Sequence, residues 1–420
     1  MHIAFESVAM VGFLYFLLAK RRFDFLTVAY GSAAIYILPG FFGFVIYPRA
    51  NQTLYPSAII DETYAIMLAV LLALALTAIL CDRLGSLKPP RIRFVGANRA
   101  AEVAGLCSLI GICGAVATSG GSLLSLDKFE LLSELNRWYV LGSSALPLFA
   151  VFSFERKKWR LFSCALLGLA ADMFIGFRAN TAITAIALLT LVLSQNSNRG
   201  RLIGHRNVLL AGATLAIVFL AYKGLILPIK TGDWSNVTAV LVSPDWYSDS
   251  FTHSEPFVTQ AILNETLCQD FSVGMAHFTN VLFLFVPFAT EYSSDVLSFN
   301  DLFQPILFPG SETWMGMANN IWAEAWSSGG YPLFAIFLLI FLSLLVFGSS
   351  LLRSLDPEVR AGVAIGFSWL AFYVHRNDVL YLGTLERRTF TLWLTSIFVS
   401  MALVLVVKVP RTTSSGAAQR

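Results

Sequence analysis

Eleven apolar runs, each near the length of a bilayer crossing, constrain this chain more than any motif in it. They fall at residues 3–19, 25–47, 63–81, 101–117, 138–154, 161–177, 179–194, 208–227, 332–352, 361–375 and 389–407. A helix needs about 20 apolar residues to cross the hydrocarbon, within a range of about 17 to 25. Lipid leaves open backbone groups unsatisfied, so each run is expected to be a helix. With 56% hydrophobic residues, 13% charged residues and 35 Phe in 420 positions, the chain exceeds what a soluble domain uses. The expected fold is an all-α polytopic membrane bundle of about eleven spans. Residues 1–227 would carry the first eight, 228–331 a large loop with short interfacial or re-entrant helices, and 332–420 the last three and a tail. The first run is not read as a cleaved signal, because no base precedes it and Lys20, Arg21 and Arg22 follow it. The five Cys imply no disulfide, and the net charge of +3 reflects basic loops rather than a nucleic-acid partner.

No Lys or Arg occurs from Thr231 to Leu352, a stretch that carries the eleven acidic groups Asp233, Asp245, Asp249, Glu255, Glu265, Asp270, Glu291, Asp295, Asp301, Glu312 and Glu324. Basic residues collect in cytoplasmic loops, so a long base-free segment points outside. With the N-terminus outside, 20 of the 29 bases fall on the inner side. The exceptions are Arg49, Lys128, Arg137, Arg178, Lys223, Lys230, Arg376, Arg387 and Arg388. Val273 to Ala289 is apolar enough to raise a twelfth span, which would invert everything after it. Its His277, Thr279, Asn280 and Pro287 favour a re-entrant or interfacial helix instead.

Several chemistries lack their residues. There is no phosphate-loop motif, no Asp-x-Asp pair, no His-Glu-x-x-His and no Cys-x-x-Cys. ATP-driven transport, nucleotide-sugar transfer and zinc hydrolysis are disfavoured, and no metal or cofactor is expected. No internal repeat of the transporter kind is visible, and one loop far exceeds the others.

The clearest local signal is Gly176-Phe177-Arg178-Ala179-Asn180, a turn that places one Arg between two spans at the outer rim. A second outward helix ends in His375-Arg376-Asn377-Asp378, and Glu386-Arg387-Arg388 then opens the last span. A helix N-terminus disfavours cations by roughly 0.3 to 1 kcal/mol, so Arg387 and Arg388 call for something anionic. Guanidinium groups bind phosphate bidentately. The bland alternative is that these four Arg snorkel to lipid or pair with Asp378, Glu386 and the acidic loop.

A second constellation runs from Trp314 to Pro332. On a helix Asn320, Glu324, Ser327 and Ser328 share one face and Trp322 and Trp326 another, Gly329 and Gly330 end it, and Pro332 suits the first turn of the next span. The alternative is an interfacial Trp belt with a solvated Glu. His253 and Glu255 could supply a base near neutral pH, although a lone loop His is more often structural, and Glu265 and Asp270 follow on an expected helix. Asp172 is an intramembrane carboxylate, and helical geometry directs it away from Arg178, toward a partner elsewhere in the bundle.

The order of these parts resembles the Wzy-type O-antigen polymerases, or oligosaccharide repeat-unit polymerases. The shared layout is many spans, a Gly-x-Arg turn (Gly176, Arg178), a large outer loop from Pro228, an Asn/Glu segment (Asn320, Glu324), a Gly pair (Gly329, Gly330) and a final helix group. The Arg-x10-Gly pattern of some members is not met at Arg178, whose eleventh following residue is Leu189. The resemblance implies a metal-independent glycosyltransferase at the periplasmic face of a bacterial inner membrane. It would move a glycan from undecaprenyl pyrophosphate onto a lipid-linked repeat unit. Expected partners are that lipid-linked oligosaccharide, membrane lipids and a chain-length regulator protein. Arg178, Arg376, Arg387, Arg388 and Asn320 would bind substrate, and Glu324, Glu255 or His253 would accept the hydroxyl proton. The rivals are an O-antigen ligase-like enzyme and a transporter of lipid-linked sugars.

Overall fold

A computed structural model of the chain describes residues 1–19, 21–84, 92–120, 123, 136–195, 210, 225–226, 228–243, 246–247, 250–251, 254–283, 296–313, 317–354 and 356–407. The first half is α1 (His2–Leu18), α2 (Phe25–Tyr36), α3 (Pro39–Phe42), strands β1 (Phe44–Pro48) and β2 (Leu54–Ala58), α4 (Asp61–Leu84), α5 (Ala100–Ser119), α6 (Arg137–Glu155), α7 (Trp159–Ile175) and α8 (Ala179–Gln195). The second half is α9 (Trp234–Val242), α10 (Glu255–Cys268), α11 (Met275–Phe283), α12 (Phe299–Leu307), α13 (Ile321–Leu351), α14 (Pro357–Tyr373) and α15 (Val379–Val407).

Among the described residues, six segments are long and apolar enough to cross a membrane: Phe25–Phe42, Asp61–Leu84, Ala100–Ser119, Arg137–Glu155, Ile321–Leu351 and Val379–Val406. His2–Leu18 and Ala179–Ser194 are apolar but shorter. The expected run 208–227 lies outside the described residues except for 210 and 225–226. The chain is therefore an all-α bundle with membrane-length helices, and the count of about eleven remains an expectation.

Three boundaries differ from the sequence reading for identifiable reasons. The run 25–47 is not one helix. Pro39 cannot continue the backbone ladder of α2, and Gly43 takes a left-handed φ of 77°. The apolar residues beyond them form β1, paired antiparallel with β2 from Phe44 opposite Ala58 to Pro48 opposite Leu54. Their apolar surface is spent on α10, where Phe44 and Phe257 lie 5.3 Å apart. The last helix begins at Val379, ten residues before the expected 389, because Asp378 Oδ1 accepts the Tyr381 N–H at 2.7 Å. Arg387 and Arg388 thus sit two turns inside α15, beyond the reach of its N-terminal dipole. Finally, α13 breaks at Gly329 and Gly330, the latter with φ 64°, so the expected helix before the pair and the span after Pro332 both exist. The first piece is not at the surface, however. Trp322 and Glu324 are buried, which removes the solvated-Glu alternative.

The core helix is α14, buried on nearly every side and packed on α2, α6, α8, α13 and α15. One end of the bundle is tied by Arg21 to Asp24 and Asp82, Arg156 to Glu358, Arg360 to Glu155 and Lys158 to Glu102. These are the bases that the sequence assigns to the inner side. The opposite end carries the hairpin, α10 to α12, and the turns after α7 and α14.

Candidate functional site

Two turns and one helix start bring the site together. At the end of α7, Gly176 adopts φ 133°. The Phe177 N–H returns to the Asp172 carbonyl at 3.1 Å, and Lys230 Nζ donates to the Ile175 carbonyl at 2.9 Å. The chain reverses there and delivers Arg178 to the start of α8. At the end of α14, the Arg376 N–H bonds the Tyr373 carbonyl at 3.1 Å in a tight turn. Its guanidinium lies 5.4 Å from the Tyr373 ring centroid. The third element is α10, whose first residue is Glu255, followed by Pro256, a residue suited to a helix start.

Glu255 joins the two arginines. Its Oε1 accepts hydrogen bonds from Arg178 Nη2 and Arg376 Nη2, both at 3.0 Å, and its Oε2 lies 2.8 Å from Arg376 Nε. The three side chains are 30%, 27% and 30% exposed for Arg178, Arg376 and Glu255, so solvent reaches the cluster. Part-exposed ion pairs contribute only about 0.2 to 1 kcal/mol each. Among the described residues, two guanidiniums meet one carboxylate here. Burial opposes the charge on Arg376, but Glu255 with Tyr373 and Tyr36 outweighs it and holds the guanidinium above its ordinary pKa. The planar forks of guanidinium groups suit carboxylate and phosphoryl oxygens alike.

Beneath it lies a fully buried layer that pins the Arg376 turn. Trp322 Nε1 donates to His375 Nδ1 at 3.0 Å, so the neutral imidazole carries its proton on Nε2. Asp378 Oδ2 accepts the Phe299 N–H at 3.1 Å. Glu324 Oε2 accepts the Val379 N–H at 2.7 Å, and its Oε1 meets His277 Nε2 at 3.0 Å. Glu324, Asp378 and His375 have no exposed surface. Burial, with the nearby Glu324 charge, raises the Asp378 carboxyl to about 7.

The expected site residues divide accordingly. Arg178, Arg376 and Glu255 converge. Glu324 lies in the buried layer with both oxygens engaged. Asn320 caps α13 by accepting the Trp322 and Ala323 N–H groups at 3.0 and 3.2 Å, and it donates to the Thr259 carbonyl at 3.1 Å. Its amide is occupied structurally. Arg387 and Arg388 are on α15, and the ion pairs described around Glu255 do not include them. His253 lies outside the described residues, as do Trp314 to Gly316. Asp172 finds its partners in Tyr139, whose hydroxyl it accepts, and Asn180, whose amide donates at 2.9 Å. Of the run 273–289, α11 occupies nine residues, a length of about 14 Å, and 284–289 lies outside the described residues.

The pairing of His277 with Glu324 and the capping role of Asp378 escaped the sequence reading. Each left a signal: a lone imidazole inside an apolar run, and an Asp directly before one. No family model matches this chain, and no curated protein or solved structure matches it either.

Proposed function

We propose that this chain is a membrane-embedded glycosyltransferase that polymerises lipid-linked oligosaccharide repeat units at the end of the bundle bearing Arg178 and Arg376. The observation that carries the reading is the convergence of these two guanidiniums, from turns far apart in sequence, on one solvent-accessible point. In this reading they hold the pyrophosphate of an undecaprenyl-linked glycan. The acceptor hydroxyl oxygen attacks the anomeric carbon, and the bond from that carbon to the pyrophosphate oxygen breaks with its electron pair on the leaving group. The hydroxyl proton passes to a carboxylate. Arginines there stabilise charge where it develops, without metal or nucleotide. In this reading Glu255 is the carboxylate that accepts the proton. Glu324 and Asp378 position the Arg376 turn from below.

Deletion of the gene tests the reading. A single repeat unit on lipid A marks a lost polymerase, no glycan a lost ligase, and lipid-linked units trapped inside a lost flippase. Arg178→Ala and Arg376→Ala should each abolish chain extension at normal protein levels. Full-length glycan in both variants refutes the proposal.

A further inference from the structure

We infer that Glu255 is a built-in competitor for the anion site. Its carboxylate occupies both arginines until the lipid diphosphate displaces it, and only then is it available as the proton acceptor. The inference rests on the reading of Arg178 and Arg376 as a diphosphate site. In the structure one carboxylate engages both guanidiniums, through Arg178 Nη2 and Arg376 Nη2 on Oε1 and Arg376 Nε beside Oε2. An anion that bridges the two groups through Arg178 Nη2 and the Nε–Nη2 fork of Arg376 takes the donors that Glu255 holds. Glu255 cannot keep its place while a phosphoryl group occupies it.

Displacement is inexpensive by construction. The pairs are part-exposed and individually weak, so a diphosphate, with a charge on each phosphorus, outcompetes one carboxylate. Glu255 is the first residue of α10, where side-chain rotation can carry the carboxylate away from the arginines. The helix dipole keeps the freed carboxylate close, since negative charge is favoured at that position. The sequence of events then orders itself: an empty site holds its base in an ion pair with both arginines, and a loaded site frees it beside the incoming hydroxyl.

The test measures undecaprenyl pyrophosphate binding to the full chain in lipid nanodiscs, with single-turnover glycan transfer alongside. Glu255→Gln should bind the lipid about two- to thirtyfold more tightly than wild type, the range that two part-exposed ion pairs allow. The same variant should transfer more slowly. Glu255→Asp, one methylene shorter and unable to span both guanidiniums, should tighten binding by a smaller factor, and it decides the question if the Gln variant does not fold. Unchanged or weaker binding in these variants overturns the inference and leaves the diphosphate reading standing. If wild type fails to bind the lipid, or Arg178→Ala and Arg376→Ala bind it as wild type does, the diphosphate reading itself fails and the inference with it.

Discussion

Replacing Glu324 separates a structural carboxylate from a catalytic one. The side chain has no exposed surface, and its two oxygens serve the Val379 N–H at 2.7 Å and His277 Nε2 at 3.0 Å. Glu324→Ala leaves a buried backbone donor unsatisfied, a cost of about 1 to 3 kcal/mol. Glu324→Gln keeps an oxygen for Val379, and its amide donates to His277 in the Nδ1–H tautomer, so about 1 kcal/mol is expected. Val379 opens the helix just beyond Arg376, and loosening it lets the arginine drift, where misplacement of about 1 Å can cost a hundredfold in rate. Unfolding of the purified chain in mixed micelles, read by far-ultraviolet circular dichroism, should therefore rank wild type, then Gln, then Ala. Chain extension in cells should follow the same order. If the Gln variant is as stable as wild type but inactive, Glu324 is a proton-transfer group and the positioning argument is wrong.

Four further outcomes concern other parts of the molecule. The rise of the Asp378 carboxyl from 3.8 to about 7 means that the folded state holds its proton more tightly than the unfolded chain. Stability should then fall as pH rises through about 4 to 7, by roughly 2 to 3 kcal/mol between pH 5 and 8, and Asp378→Asn should flatten that slope in unfolding curves. At the crossing of α5 and α6, a Cβ on Gly111 would sit 2.3 Å from the Gly142 nitrogen. Gly111→Ala must push two backbones apart and should lose about 1 to 3 kcal/mol. Gly31 on α2 has nothing within 4 Å of an added Cβ, so Gly31→Ala should gain up to about 1 kcal/mol in the same unfolding curves. Arg376→Lys should fall far short of wild-type chain extension, because an ammonium cannot reproduce the Nε and Nη2 fork that Glu255 meets, and near-normal extension would show that charge alone suffices.

What the sequence discloses here depends on the range of the interaction. Helices whose cause is local were legible to within three residues: α5 at Ala100–Ser119 against 101–117, α6 at Arg137–Glu155 against 138–154, and the break at Gly329 and Gly330. Apolarity misled where it served protein rather than lipid. The residues after Gly43 look like membrane and are a strand against α10, while the charges of Glu386 to Arg388 look like the start of the last span and lie two turns inside it. The site shows the same divide. Base-free and Arg-bearing segments identified Arg178, Arg376 and Glu255 one at a time, each from its own surroundings. Their meeting spans 77 and 121 positions of chain, and no periodicity reaches that far. Glu324 marks the converse failure. Its neighbours on one helix face read as a polar surface, yet the residues that bury it come from α11 and the start of α15. A carboxylate's environment is set by whatever packs over it, and that is the part of the chemistry a single sequence leaves unstated. For Glu324 that packing engages both oxygens, with the Val379 N–H and His277, and for Glu255 it turns one acidic loop residue into the counter-ion of both arginines.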